Sequence, residues 1–126
     1  MIRILAVALS GLFFVGCATT SGLLPEQQVS IVPYQNKVKD ECIKLRVPEK
    51  QKNTMSDKDI ETLCQSRANR FADLTMSNLS QQLNNNVIEK CRLQGEEQKN
   101  ICLIEYQERF FEGAKNRIVE FYKHGQ

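Results

Sequence analysis

The sequence predicts a small all-α domain of about three helices that are stapled by disulfide bonds. From Tyr34 onward, apolar residues recur at intervals of three and four, which is the spacing of one helix face. Sustained two-residue alternation and Asn-Gly turns, which would indicate β-hairpins, are missing from the same stretch. We therefore expect one helical domain over residues 34–126, with its helices packed as antiparallel pairs.

The first helix is predicted over residues 35–46, with Val38, Cys42 and Leu45 on one face. Pro48 should end it, because a proline disfavours helical backbone at the residue before it. A basic linker follows. Ser56 then has Asp59 three residues later, which matches a capping box with Asp in place of the usual Glu and predicts the start of the second helix.

The second helix has the longest apolar stripe, and Asn84-Asn85-Asn86 interrupts it with poor helix formers. Two alternatives stay open there, a continuous helix and one that breaks at the asparagines. Gly95 should end this part of the chain, with cationic side chains just before it at the negative end of the helix dipole. The residues of the stripe are Ile60, Cys64, Ala68, Phe71, Leu79, Leu83, Val87 and Cys91.

The third helix is predicted from about Glu96 to Tyr122 and has two apolar lines. The first, which we expect to face the core, consists of Leu103, Tyr106, Phe110, Ala114, Ile118 and Phe121. The second consists of Ile104, Phe111 and Tyr122. Either the helix buries one wide face, or this second line is an exposed face that docks a protein partner.

The first 17 residues have the pattern of an export signal. Arg3 precedes a mostly apolar run from Ile4 to Val15, which is shorter than the ~20 residues that span a bilayer core and typical of a signal peptide. Phe14-Val15-Gly16-Cys17 resembles the lipobox of bacterial lipoproteins, with Phe14 in place of the usual Leu. The resemblance implies that residues 1–16 are removed and that Cys17 is acylated.

The same resemblance implies where in the cell the protein is located. The acyl chains on Cys17 would anchor it in the bacterial cell envelope, with the domain in the periplasm. Ala18 stands where an Asp would retain a lipoprotein in the inner membrane, so we expect the outer membrane. After Cys17, residues 18–33 are mostly small or polar and contain two prolines. We therefore expect residues 17–33 to form the lipidated end and a flexible tether.

With Cys17 set aside for the lipid, four cysteines remain, and an even number in an exported domain indicates disulfides. Free thiols and a metal site are the alternatives, but the chain has no CxxC pair and a single histidine. On a continuous second helix, Cys64 and Cys91 would be about 40 Å apart, too far for a disulfide. The pairs that remain are Cys42–Cys64 and Cys91–Cys102, each placed about evenly around a turn.

Composition and motifs argue against several functions. The net charge of +2 is too balanced to indicate a nucleic-acid partner. With one histidine, no GxSxG sequence and no glycine-rich phosphate loop, we expect no enzymatic activity, no cofactor and no metal.

The remaining expectation is a lipid-anchored periplasmic lipoprotein that binds a protein partner in the envelope, as an adaptor or as an accessory subunit of an assembly. In general build it resembles the pilotins of secretion systems, a likeness of fold alone. Two alternatives stay open. One is a structural or stress-related lipoprotein without a dedicated partner, and the other is a proteinaceous inhibitor of a hydrolase.

Overall fold

The computed structural model describes residues 23–48, 52–83 and 85–124, so the predicted signal peptide and Cys17 lie outside the described residues. Within those ranges the chain forms helices and no strand, and the predicted all-α fold is confirmed. In this part of the chain, a short 3-10 turn is followed by four α-helices. Their bounds are Pro25–Gln27 for the turn, Val32–Leu45 for α1, Asp57–Gln82 for α2, Asn85–Arg92 for α3 and Glu96–Lys123 for α4.

Local sequence signals explain where α1 and α2 begin and end. Helix α1 begins three residues before the predicted start, because Pro33 fits the first turn, where its missing N–H is not needed. Helix α2 begins with the predicted capping box. The Asp59 N–H donates to the Ser56 hydroxyl at 3.0 Å, and the Ser56 N–H donates to the Asp59 carboxylate at 3.5 Å. Asn53 turns the linker with a positive φ of 61°, which asparagine tolerates.

The second predicted helix is broken at the asparagine run. Helix α2 ends at Gln82, the buried Leu83 has non-helical backbone angles, and α3 begins at Asn85. Gly95 separates α3 from α4 with a φ of 108°, a conformation that a residue with a Cβ rarely adopts. Gly95 therefore ends this part of the chain, as its position in the sequence predicts.

Helices α1, α2 and α4 form the main body of the fold. Cys42 bonds to Cys64 and Val38 packs beside Ala68, so α1 runs antiparallel to α2. Helix α4 also runs antiparallel to α2. Helix α1 packs more extensively on α2 and on α4 than these two pack on each other, while α3 packs on α4. Helix α1 therefore covers one side of the α2–α4 pair.

Both predicted disulfides are confirmed. Cys42 and Cys64 join the end of α1 to the start of α2, with their Cα atoms 5.6 Å apart. Cys91 and Cys102 join α3 to α4 across the Gly95 turn, with a Cα separation of 5.4 Å. The pairing is the one expected for a continuous second helix, and it holds although the helix is broken.

The buried apolar residues form three layers along the bundle. The layer at one end contains the Cys42–Cys64 disulfide and Ile60, and the middle layer contains Val38, Ala68 and Phe71. The third and largest layer lies between α2, α3, α4 and the start of the described chain. Its buried members are Leu23, Leu79, Leu83, Cys91, Leu103 and Phe111.

The N-terminal segment 23–31 belongs to the folded domain, which corrects the expectation of a flexible tether over residues 17–33. Leu23 is buried in the third layer, and Val29 and Ile31 pack against it. Gln27 is buried as well, and its side chain donates to the Asn100 side chain at 2.7 Å. Removal of the apolar surface of Leu23, Val29 and Ile31 from water stabilises the docked segment, so the segment folds onto α4 instead of remaining a solvated linker.

Candidate functional site

The second apolar line of α4, Ile104, Phe111 and Tyr122, is not an exposed face. Of the two alternatives, the structure therefore favours one wide buried face and contradicts a docking face at these residues. Phe111 is the largest fully buried side chain among the described residues, and its ring lies 5.4 Å from the ring of Tyr34. Ile104 and Tyr122 are half-buried. Phe110, which the sequence places in the core, is only partly buried. The assignments of the two phenylalanines are therefore reversed.

The physical reason is that both α1 and the N-terminal segment pack onto α4. Together they select a buried stripe on α4 that is turned by about one residue from the predicted one. The buried positions of α4 are Leu103, Gln107, Phe111 and Val119.

Tyr122 is also engaged within the fold. The Arg67 guanidinium lies over the Tyr122 ring, 4.8 Å from its centroid, in cation–π geometry. Burial raises the pKa of the Tyr122 hydroxyl, although the charges of Arg67, Arg46 and Arg70 lower it. Tyr122 therefore joins α4 to α2 and forms part of the wall of a neighbouring groove.

That groove lies between α2 and α4, on the side that α1 does not cover. It consists of two adjoining cavities of about 370 Å³ and about 240 Å³ that share Phe71, Leu74, Ile118 and Phe121. Leu74 and Phe121 are 54% and 53% exposed, so the groove presents apolar surface to solvent from both helices. We call it the α2–α4 groove. Its remaining lining residues are Arg67, Arg70, Thr75, Ala114, Arg117 and Tyr122.

Buried residues form the floor of the groove and exposed residues form its walls. Phe71 and Thr75 are buried on α2 and close the groove from below. Ala114 lies opposite on α4, and its short side chain leaves space that a larger residue would fill. Leu74 and Phe121 then stand at the two sides. An apolar trough open to solvent can accept apolar side chains from another molecule.

The charged residues that line the groove are all basic. Arg67, Arg70 and Arg117 line it, and none of the described lining residues is acidic. Arginine forms bidentate hydrogen bonds to carboxylates, and its charge does not titrate in the physiological range. The α2–α4 groove is therefore complementary to a segment that combines apolar side chains with carboxylates.

Sequence reasoning missed this groove. It placed Phe121 in the buried stripe and gave Leu74 no role. The one available signal was the spacing of Arg67, Arg70 and Leu74, which follow each other at three and four residues along α2. That spacing does not indicate which residues of α4 form the opposite wall of the groove.

Among residues 23–48, 52–83 and 85–124, no group of His, Cys, Asp and Glu is placed to hold a metal ion. No helix in the same part of the chain is both long enough and apolar enough to cross a membrane. Comparisons with protein-family models, with curated proteins and with solved structures find no match to this chain.

Proposed function

We propose that the protein is a lipid-anchored periplasmic lipoprotein that serves as a small adaptor or accessory subunit of an envelope assembly. In this proposal Cys17 carries the lipid, and the α2–α4 groove docks an amphipathic segment of a protein partner. The groove is the observation that carries the docking function, because it exposes Leu74 and Phe121 beside three arginines. The lipobox-like residues and the two disulfides support an exported location.

The shape of the groove favours a helical partner segment. Arg67 and Thr75 mark the extent of the lining along α2, which is about 12 Å or two helical turns. An amphipathic helix of that length can place apolar residues at three- and four-residue spacing between α2 and α4. Carboxylates beside its apolar face would then meet Arg70 and Arg117.

Photo-cross-linking in cells tests the docking site. A photoreactive amino acid replaces Leu74 in one variant and Val32 in the control, since Val32 is similarly exposed at 52% and lies on α1. We expect a discrete adduct with one envelope protein from position 74 and none from position 32. Reversing the charge with Arg117→Glu should reduce the yield at least several-fold.

The same experiment separates the alternatives. Absence of any adduct from position 74 would contradict a docking groove and favour a structural lipoprotein without a dedicated partner. An adduct with a hydrolase would favour the inhibitor instead. Identical adducts from positions 74 and 32 would show non-specific proximity and contradict the proposal.

The anchoring and location are tested separately. Mass spectrometry of the mature N-terminus should find Cys17 as the first residue with two or three acyl chains attached. That number of chains gives stable membrane anchoring, whereas a single chain gives only marginal binding. Density fractionation of membranes should then place the protein with the outer membrane. An unmodified Cys17, or cleavage at another position, would contradict this part of the proposal.

A further inference from the structure

Three further exposed apolar residues lie at the end of the domain where the described chain begins. Leu24, Leu93 and Ile101 are 54%, 72% and 49% exposed. They come from the N-terminal segment, the turn after α3 and the start of α4. Exposed apolar residues that cluster into a patch often mark a site of contact with a protein or a membrane.

Two contacts bring these three residues to one end of the domain. The Leu24 N–H donates to the Gln27 side chain at 2.8 Å, and the Gln27 side chain donates to Asn100, the neighbour of Ile101, at 2.7 Å.

The second contact is the disulfide between Cys91 and Cys102. Leu93 lies two residues after Cys91, and Ile101 lies directly before Cys102. The two bonded cysteines have their Cα atoms 5.4 Å apart, so the disulfide holds Leu93 and Ile101 at the same turn.

The length of chain between this end and Cys17 indicates what covers it. Leu23 is the first described residue and is six residues after Cys17. Even a fully extended chain of that length reaches only about 20 Å. If Cys17 is acylated, as proposed above, its lipid holds this end of the domain within that distance of the bilayer.

We infer that Leu24, Leu93 and Ile101 form a membrane-contact surface that inserts into the interfacial region of the bilayer that holds the Cys17 lipid. Leucine and isoleucine side chains are suited to the headgroup–acyl boundary, about 5–10 Å deep. The contact is weak for the free domain, and anchoring makes it effective because the bilayer is then always near. This inference rests on the proposed lipidation.

The charges around this surface do not select a charged lipid. The numbers of basic and acidic side chains nearby are almost equal, and Arg92 forms an ion pair with Glu89. Apolar contact therefore dominates, and binding should depend little on salt or on anionic lipid. The nearby basic residues are Lys90, Arg92 and Lys99, and the acidic ones are Glu26, Glu89, Glu96 and Glu97.

The inferred contact orients the α2–α4 groove away from the membrane. Asn100 marks the membrane end of α4, and Ile118 lines the groove. These residues are about 27 Å apart along the helix at 1.5 Å per residue. A partner would therefore dock on the periplasmic side of the domain, clear of the lipid headgroups.

Fluorescence quenching in vesicles tests the contact. The chain contains no tryptophan, so Leu93→Trp provides a single reporter, and Leu74→Trp in the groove is the matched control. The chain from Cys17 onward, which keeps all described contacts, is coupled through the Cys17 thiol to a maleimide lipid in phosphatidylcholine vesicles. Lipids with brominated acyl chains should quench the fluorescence of the Leu93→Trp variant several-fold more strongly than that of the Leu74→Trp variant. Equal quenching at the two positions, or none at position 93, would overturn the inference.

Two further measurements examine the apolar nature of the contact. Adding Leu24→Ser and Ile101→Ser to the Leu93→Trp variant should reduce the quenching at least twofold while circular dichroism shows unchanged helix content. Replacing part of the neutral lipid with phosphatidylglycerol should change the quenching less than twofold. Unchanged quenching in the serine variant, or a strong dependence on anionic lipid, would each contradict an apolar contact.

Failure of this inference is distinguishable from failure of the proposed lipidation. The vesicle measurement uses a chemical link to Cys17, so it reports on the contact whether or not cells acylate that residue. Mass spectrometry of the cellular protein reports on acylation alone.

Discussion

The side-chain amide of Gln107 on α4 donates to the backbone carbonyl of Gln27 at 2.6 Å and ties the N-terminal segment to the bundle. The same amide nitrogen donates to the Leu103 carbonyl at 3.0 Å, and the amide oxygen accepts from the Val29 N–H at 3.1 Å. Gln107 is buried, and its amide has partners for both donors and for the oxygen. This one side chain therefore supplies two of the hydrogen bonds that hold residues 23–31 to the folded domain, beside the packing of Leu23, Val29 and Ile31.

Replacing Gln107 with Leu should loosen that segment. The substitution keeps a similar volume, but it removes the partner of the buried Gln27 carbonyl, at about 1–3 kcal/mol, and that of the partly buried Val29 N–H, which costs less because water can reach it. Denaturant unfolding should show the loss, and hydrogen exchange at the Val29 amide should become faster. Gln98→Leu is the matched control, since Gln98 is exposed on the same helix. Equal effects of the two substitutions would contradict the role of Gln107.

Phe111→Ala should destabilise the domain far more than Phe110→Ala. Phe111 is fully buried beside Tyr34, and truncation of a buried phenylalanine costs about 3–5 kcal/mol because it leaves a cavity. Phe110 keeps part of its surface in water, so its truncation removes less buried area. Thermal unfolding of the two variants measures the difference. A loss for Phe110→Ala as large as that for Phe111→Ala would be inconsistent with the packing of α4.

The two disulfides should be found by peptide mapping without reduction. Cys42–Cys64 and Cys91–Cys102 span 22 and 11 residues, and constraint of the unfolded chain gives each about 3 kcal/mol. Replacing Cys91 and Cys102 together with serine should speed hydrogen exchange mainly in α3, because that bond holds α3 to α4. A peptide linking Cys64 to Cys91 would refute this architecture.

Ser56→Ala should lower stability by about 1 kcal/mol through loss of the N-cap of α2. The Ser56 hydroxyl accepts from the Asp59 N–H, and alanine cannot replace that bond. Ser66→Ala provides the control, because Ser66 is exposed inside α2, where alanine is the better helix former. Chemical denaturation should therefore show a loss for position 56 and none for position 66. Equal stability of the two variants would show that the cap contributes nothing.

Features that depend on neighbouring residues were predictable from the sequence. The capping box at Ser56, the turn at Gly95 and the end of α1 before Pro48 all depend on chemistry within a few residues. The cysteine pairing was also predictable, because short loops around turns bring each pair together whether or not the second helix is continuous. The sequence could not decide whether the helix breaks at Asn84–Asn86, since differences in helix propensity of about 0.5 kcal/mol per residue are easily outweighed by packing.

The α2–α4 groove could not be predicted, because its two exposed walls are 47 positions apart in the sequence, at Leu74 and Phe121. Each of them fits an apolar stripe on its own helix. They come to face one groove because α1 packs on the other side of α2 and α4 and leaves this side open.

The sequence by itself determined that the chain forms helices, roughly where these begin and end, and which cysteines pair, because periodicity and turn chemistry act locally. Only the tertiary structure decided which side of α4 is buried. Phe110 and Phe111 point about 100° apart, and either could face a core. The packing of α1 and of residues 23–31 onto α4 turns Phe111 into the core. That arrangement buries its ring beside Tyr34 and gives the Gln107 side chain, on the same face of α4, its hydrogen-bond partners.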